Sequence, residues 1–120
     1  MKTTVVNFIA APSVGKSLMS ALTFAEIKSR NFSCELIQEY AKTLVWQERF
    51  EELNVQYQVS LNQYNMIKAV QNKVQFAVCD SPLLIGLYYN RTFPTNVCNI
   101  EKTEAFIKQK MQEFHNVYIF

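Results

Sequence analysis

Four short apolar stretches alternate along the chain with longer segments in which apolar residues recur every three or four positions. Short runs rich in β-branched and aromatic residues predict strands, and the longer periodicity predicts helices. The predicted strands cover residues 3–9, 34–38, 74–79 and 116–120. The predicted helices cover residues 17–30, 40–53, 57–72, 83–89 and 101–114. This alternation predicts an α/β fold with a parallel sheet and right-handed crossovers.

The apolar residues within each predicted helix indicate the side that packs on the sheet. In the first helix they form two adjacent rows, made of Leu18, Leu22 and Ala25 and of Ala21, Phe24 and Ile27. In the second helix we expect the inward residues to be Leu44, Phe50 and Leu53. In the last helix one side is formed by Phe106, Ile107, Met111 and Phe114.

Composition restricts the class of protein further. A chain of 120 residues forms one domain with a real core, and 49% hydrophobic with 18% charged residues suits a sheet covered on both faces. The net charge is only +2 and the sequence shows no basic stripe, which argues against a nucleic-acid partner.

No apolar run approaches the length of a membrane span, and the first predicted strand leaves no room for a signal peptide. The three cysteines, Cys34, Cys79 and Cys98, lack a C-x-x-C spacing and are predicted to be buried free thiols. We therefore expect a cytoplasmic protein without a membrane partner.

Residues 10–17 read Ala-Ala-Pro-Ser-Val-Gly-Lys-Ser, which is the phosphate-binding loop pattern with Ala10 at the first glycine position. The segment joins a predicted strand to a predicted helix, as such a loop requires. Lys16 is then expected to reach the β- and γ-phosphates of a nucleotide, and the Ser17 hydroxyl to bind Mg²⁺. The other residues predicted to surround the phosphates are Ala11, Pro12, Ser13, Val14 and Gly15. The alternative is an ordinary turn containing a glycine and a surface lysine.

Asp80 is the only aspartate of the chain and directly follows the predicted strand 74–79. Ligands of open α/β sheets bind beyond the carboxyl ends of the strands, so Asp80 is expected at the same edge as the phosphate-binding loop. There it would hold Mg²⁺ directly or through water. The alternative is a helix cap ahead of Pro82, and the two roles are compatible.

Glu39 follows the second predicted strand and should project from the same edge. A carboxylate at this place is able to accept the proton of an acceptor hydroxyl, as general bases do in phosphoryl transfer. Lys42, one turn further on, could meet an acceptor phosphate. The alternatives are a solvated glutamate at a helix start and a surface lysine. Four aromatic residues form either a shelf for a planar ring or part of the core: Trp46, Tyr40, Tyr57 and Tyr64.

With these three elements in place, the chain resembles P-loop nucleoside and nucleotide kinases. It looks most similar to the phage and bacterial AAA-domain family related to nicotinamide-ribonucleoside kinase. The matching segments are residues 8–17 at the loop, Glu39-Tyr40-Ala41-Lys42 after the second strand, and Asp80-Ser81-Pro82-Leu83-Leu84 after the third. The resemblance implies a three-layer α/β/α P-loop NTPase sandwich over residues 1–120 with strand order 2-3-1-4. It also implies ATP as the phosphoryl donor and Mg²⁺ as its ion.

Kinases of this class usually continue beyond the fourth strand to an arginine-bearing lid and a fifth strand. This chain ends at Phe120, inside the predicted fourth strand, and its three arginines lie in no recognisable lid motif. We therefore expect phosphate binding, with turnover that depends on a C-terminal part being supplied. The apolar edge at 116–120 also predicts self-association, because exposed apolar strand edges invite pairing.

The leading hypothesis is an ATP-dependent kinase of a small nucleoside or nucleotide, with Lys16, Glu39 and Asp80 as catalytic residues. One alternative is an ATPase or nucleotide switch that acts with a protein partner and takes an arginine from it. Another alternative is a non-catalytic remnant that keeps the fold. The absence of an extended hydrolase motif after Asp80 favours the kinase, and the residues leave the identity of the acceptor open.

Overall fold

The computed structural model describes residues 2–9 and 15–120. In these residues an all-parallel sheet of four strands is combined with six helices. The strands are β1 (Thr4–Phe8), β2 (Cys34–Ile37), β3 (Phe76–Cys79) and β4 (His115–Ile119). The helices are α1 (Lys16–Ser29), α2 (Tyr40–Trp46), α3 (Phe50–Leu53), α4 (Gln56–Val70), α5 (Leu83–Thr92) and α6 (Ile100–Met111). The α/β class expected from the hydrophobic pattern is confirmed.

The sheet has the order β2-β3-β1-β4, which is the expected order. Val6 of β1 lies opposite Val78 of β3 on one side and Val117 of β4 on the other. The two inner strands, β1 and β3, therefore use both of their hydrogen-bonding edges. Strands in this situation are mostly apolar on both faces, and the buried Asn7 of β1 is hydrogen-bonded to Asn116 of β4 at 3.0 Å.

Helices cover both faces of the sheet. On one face, Phe24 and Ile27 of α1 pack against a cluster that includes Val6 and Val78. On the other face, α4, α5 and α6 contribute to a larger cluster whose buried helical members are Tyr64, Ile67, Leu83 and Ile107. Val5 and Val6, which are neighbours in β1, therefore point into two different cores. This is the pattern of a strand that lies between two helical layers.

Part of the α1 face remains exposed. Leu18 and Leu22 have exposed fractions of 63% and 55%, so the first of the two predicted apolar rows does not face the sheet. On β4, Val117 and Ile119 lie on the same side as the α1 cluster and are each 41% exposed. Self-association through this strand, which is an edge of the sheet formed by the described residues, stays a prediction.

The predicted helix over 40–53 is wrong, since the structure divides it into α2 and α3. Glu48 adopts a left-handed φ of 56°. Its N–H donates to the Val45 carbonyl at 3.0 Å, and the Arg49 N–H donates to the Leu44 carbonyl at 2.9 Å. This pair of bonds is the Schellman motif, which ends a helix and most often uses glycine at the left-handed residue. A glutamate there gave no local signal for the break.

The break also changes the direction of the residues that follow it. Phe50 was predicted to point inward, but it is 55% exposed. Leu44, which precedes the break, is buried as expected, and Leu53 is half-buried. The periodicity of one continuous helix therefore does not apply across residues 47–49.

The cysteines are free thiols, as predicted. Cys34 and Cys79 are buried, whereas Cys98 is only half-buried. Burial raises the pKa of the Cys34 thiol to about 11 and that of the Cys79 thiol to about 12, so both stay protonated at neutral pH. Among the residues that the structure describes, no helix combines the length and the apolar character that a bilayer crossing needs.

A charged network ties the end of α6 to α4. The Tyr64 hydroxyl donates to Glu113 Oε1 at 2.7 Å, and Lys68 Nζ lies 3.1 Å from the same oxygen. Lys110 Nζ lies 3.1 Å from Glu113 Oε2. The Tyr64 bond, followed by the two lysines, lowers the pKa of Glu113 from its ordinary value of 4.5 to about 2. The ionised form of Glu113 is therefore the one that the fold stabilises.

We expect this network to make stability pH-dependent in acid. Because the pKa of Glu113 is lower in the folded protein, its contribution is present above about pH 4.5 and is lost as the pH falls toward 2. Urea unfolding between pH 2 and 6 measures this. The loss of stability over that interval should be smaller in Glu113→Gln than in the wild type. In Tyr64→Phe the loss should be smaller than in the wild type and should end at a higher pH, because the folded pKa of Glu113 rises toward its ordinary value. Identical pH profiles for the three proteins would contradict the assignment.

Candidate functional site

The carboxyl ends of β2 and β3 open onto a cavity of about 910 Å³. Its walls are formed by the start of α1, by α2 along its length, by the end of α3, by the first half of α4, and by α5 with the residues that precede it. Cavities of this size bind small-molecule ligands in other proteins. The residues predicted for phosphate, metal and acceptor binding that the structure describes lie in this cavity or in an adjoining recess of about 270 Å³: Gly15, Lys16, Ser17, Glu39, Lys42 and Asp80.

The beginning of α1 faces the cavity. Gly15 is the N-cap residue and has a φ of 80°, a left-handed conformation that glycine adopts without steric cost. Its carbonyl accepts the first bond of the helix from the Met19 N–H at 2.9 Å. The N–H groups of the first turn of a helix have no intrahelical acceptor, and they attract anions. Lys16 and Ser17 line the cavity at this turn.

The other residues predicted to bind the phosphates lie outside the described residues. They are Ala11, Pro12, Ser13 and Val14. The part of the loop that the structure describes is therefore its carboxyl end, Gly15 with Lys16 and Ser17.

Asp80 is 7% exposed and lies beside the first turn of α1. Ser17 Oγ donates a hydrogen bond to Asp80 Oδ2 at 3.0 Å. Asp80 Oδ1 is buried and has no hydrogen-bond partner among the described residues. A buried carboxylate oxygen without a partner is costly unless a cation or a donor meets it. Ser17 and Asp80, which are 63 residues apart in the sequence, are therefore in direct contact in the fold.

The helix-cap alternative for Asp80 is not what the structure shows. α5 begins at Leu83 with Pro82 as its N-cap residue, and no side chain makes a capping hydrogen bond there. Asp80 instead lines the adjoining recess together with Ser17 and Glu39. Among residues 2–9 and 15–120, no group of three or more histidine, cysteine, aspartate and glutamate side chains is arranged to hold a metal. Any ion at Asp80 would therefore need ligands from other groups.

Glu39 and Lys42 line both the cavity and the recess. Glu39 is the N-cap residue of α2, but its side chain makes no capping hydrogen bond. Burial, and next the negative charge of Glu39, raise the pKa of Tyr89, which also lines the cavity. The carboxylate of Glu39 therefore acts electrostatically on the α5 wall.

The structure divides the four aromatic residues between the two alternatives, a shelf at the site and part of the core. Trp46 lines the cavity and is 78% exposed. Tyr57 packs instead against Phe106 with ring centroids 4.7 Å apart, and Tyr64 against Phe114 at 5.7 Å. Tyr40 is half-buried and is not part of the lining. Three aromatic residues that the sequence analysis did not single out line the cavity from α5 and its end: Tyr88, Tyr89 and Phe93.

Sequence reasoning also missed the polar floor of the cavity. Gln56, Ser60 and Gln63 of α4 line it, and each is buried. They lie in a segment where glutamine, serine and asparagine alternate with apolar residues. The available sequence signal is the set of polar residues on this predicted helix. Without the structure, the same residues predict a side that faces solvent.

The comparisons with known proteins leave the geometry as the only guide to this site. Family models, curated proteins and solved structures give no match to the chain.

Gly86 allows α5 to approach α4 at the cavity floor. A Cβ atom at Gly86 would lie 2.8 Å from Ser60 Oγ and 3.4 Å from Ile107 Cδ1. The first distance is a steric overlap, so a side chain at this residue requires Ser60 to move. Close helix contacts of this kind depend on a missing side chain.

We expect Gly86→Ala to be coupled to Ser60. Alanine stabilises a helix by about 0.8–1.0 kcal/mol relative to glycine. Once the Ser60 hydroxyl is removed, the overlap is gone and this gain should become measurable. In the Ser60→Ala background, Gly86→Ala should therefore be less harmful than in the wild type, by about 0.5–3 kcal/mol as contacting residues show. Urea unfolding of the four proteins measures the difference. Equal effects in both backgrounds would show that the two residues do not press on each other.

Proposed function

We propose that this chain is an ATP-binding, P-loop kinase-like protein that transfers the γ-phosphoryl group of ATP to a small nucleoside or nucleotide. The observation that carries the proposal is the 3.0 Å hydrogen bond between Ser17 and Asp80, beside an Asp80 oxygen without a partner among the described residues. It joins the phosphate-binding motif to the end of β3 at one cavity. In the same proposal the α/β fold is a P-loop NTPase three-layer sandwich.

The start of α1 is the proposed phosphate site. The first-turn N–H groups and the helix dipole favour negative charge at this end of a helix. Lys16 lines the cavity at the same turn and forms no ion pair among the described residues. A lysine without an internal carboxylate partner is able to neutralise phosphate charge instead.

Ser17 and Asp80 are the proposed Mg²⁺ ligands. Mg²⁺ prefers oxygen ligands and is usually held by one or two carboxylates with waters and phosphate oxygens, so a single aspartate suffices. The buried Asp80 Oδ1, which lacks a partner among the described residues, fits this demand. When bound, the ion supplies charge neutralisation at the phosphate oxygens. Ser17 would exchange its hydrogen bond to Asp80 for the ion.

The α2–α4–α5 end of the cavity is the proposed acceptor site. Glu39 would accept the proton of the attacking hydroxyl, and Lys42 lies within the same lining to meet an acceptor phosphate. Trp46 and Tyr88 leave 78% and 63% of their surface exposed at this end. Exposed aromatic rings beside a cavity favour a planar ring system, because stacking removes apolar surface from water.

One observation favours the second candidate, an ATPase or nucleotide switch that acts with a protein partner. The three arginines are paired with Glu26, Glu52 and Glu104, and none lines the cavity formed by the described residues. An arginine that stabilises the transition state would then come from another chain. ADP release that nucleosides do not accelerate would identify this candidate and reject the kinase.

We expect ATP or ADP with Mg²⁺ to stabilise the protein against thermal unfolding. Nucleotide at about 100 times its Kd adds roughly 2.7 kcal/mol of stability. Lys16→Ala should remove most of this effect. Lys28→Ala, at the other end of α1, is the matched control and should retain it. A wild type that shows no thermal shift with any nucleotide at millimolar concentration would overturn the phosphate site.

We expect Asp80 and Glu39 to separate metal binding from phosphoryl transfer. Asp80→Asn should weaken nucleotide binding measured with Mg²⁺ more than binding measured in EDTA. Glu39→Gln should leave ATP binding nearly intact and lower transfer by roughly 10²–10⁴-fold, as the loss of a general base does. Titration calorimetry and coupled ADP release with a panel of nucleosides and nucleoside monophosphates measure both. The same loss of ATP affinity in both variants would refute the division.

A further inference from the structure

The amide side chain of Gln63 joins α4 to the turn between β2 and α2. Gln63 is 6% exposed. Its Oε1 accepts a hydrogen bond from the Tyr40 backbone N–H at 2.8 Å, and its Nε2 donates one to the Gln38 backbone carbonyl at 3.1 Å. The two bonds hold the backbone immediately before and immediately after Glu39. One buried side chain therefore fixes the segment that presents Glu39.

The Tyr40 N–H requires a partner from outside its own helix. Tyr40 is the first residue of α2, and first-turn N–H groups have no intrahelical acceptor. The side chain of an N-cap residue usually accepts from the second or third N–H of the helix, so the first N–H needs an acceptor from elsewhere. Gln63 Oε1 is that acceptor for Tyr40. The side chain of the N-cap residue, Glu39, makes no capping bond and lines the cavity.

We propose that Gln63 is a positioning residue for Glu39: it caps α2 from α4 and thereby holds the Glu39 carboxylate toward the acceptor end of the cavity. The inference rests on the proposed function for the role of Glu39 as the base. A base works only within hydrogen-bond reach of the hydroxyl, so a looser turn lowers the rate of transfer more than the affinity for ATP.

The test uses Gln63→Met, which removes both hydrogen bonds and keeps a side chain of similar length and helix propensity. Gln71→Met is the matched control. Gln71 Nε2 donates to the Glu113 backbone carbonyl at 2.7 Å, so the same chemical change is made at the far end of α4. Urea unfolding of both variants measures how much each substitution lowers the free energy of unfolding.

The first measurement is amide hydrogen exchange of Tyr40 by NMR. Because Gln63 is the acceptor of this amide, exchange should be roughly tenfold faster or more in Gln63→Met and unchanged in Gln71→Met. Equal Tyr40 exchange in the wild type and Gln63→Met would overturn the proposal. Gln63→Glu keeps an acceptor for Tyr40 but loses the donor to Gln38. It serves if Gln63→Met does not fold, and in it Tyr40 should remain protected while transfer falls.

The second measurement is coupled ADP release with ATP, Mg²⁺ and a panel of nucleosides. Gln63→Met should lower kcat roughly 10–100-fold and leave the KM for ATP within about threefold of the wild type. In the Glu39→Gln background the same change should cost little more, since the group it positions is already gone. Gln71→Met should retain kcat.

The outcomes separate this inference from the kinase proposal. Gln63-dependent protection of Tyr40 in a wild type that releases no ADP with any nucleoside supports the positioning and rejects the kinase. A normal kcat in Gln63→Met or Gln63→Glu would overturn the positioning role and leave the kinase proposal intact. The same holds if Gln63→Met lowers kcat as much in the Glu39→Gln background as in the wild type. A change confined to the KM of the acceptor makes Gln63 a substrate contact and also overturns it.

Discussion

The candidate site depends on the burial of β3 on both faces of the sheet. Ala77, Val78 and Cys79 are fully excluded from solvent between α1 on one side and α4 on the other. A strand that pairs on both edges and is covered on both faces disfavours polar side chains that lack hydrogen-bond partners, and β3 contains none. The first polar residue is therefore placed where the strand ends. That residue is Asp80, whose N–H is fixed by the Ile37 carbonyl of β2 at 3.1 Å.

The parallel direction of the strands then brings separate parts of the chain to one edge. The strand-to-helix connection that follows β1 leads to Gly15, β2 is followed by Glu39, and β3 by Asp80. The two carboxylates have different surroundings. Asp80 is buried in the adjoining recess and accepts a hydrogen bond from Ser17, whereas Glu39 lines both the recess and the open cavity. This difference in burial and partners is the physical basis for our proposal that Asp80 serves a metal ion and Glu39 a substrate.

Both glycines of the chain line the cavity. Gly15 adopts a left-handed φ at the start of α1 without steric cost, and the missing side chain of Gly86 leaves room for Ser60 Oγ. Elsewhere the chain ends helices with other residues in the left-handed conformation, Asn31 after α1 and Glu48 after α2. The glycines thus serve the shape of the cavity, while the carboxyl ends of α1 and α2 are closed by backbone hydrogen bonds at left-handed residues.

The sequence by itself determined the order of strands and helices along the chain and the edge of the sheet at which the candidate residues meet. Local periodicity gives the elements, and the direction of parallel strands gives the edge, so Lys16, Glu39 and Asp80 could be placed together without coordinates. Only the tertiary structure decided that Trp46 and the α5 aromatics line the cavity, since this depends on how helices cross the sheet. It also decided the break at Glu48, because a left-handed glutamate has no distinct sequence signal. The cap that Gln63 provides joins backbone groups 23 and 25 residues away, and such partners are chosen by packing between α4 and β2 rather than by any local preference of the chain.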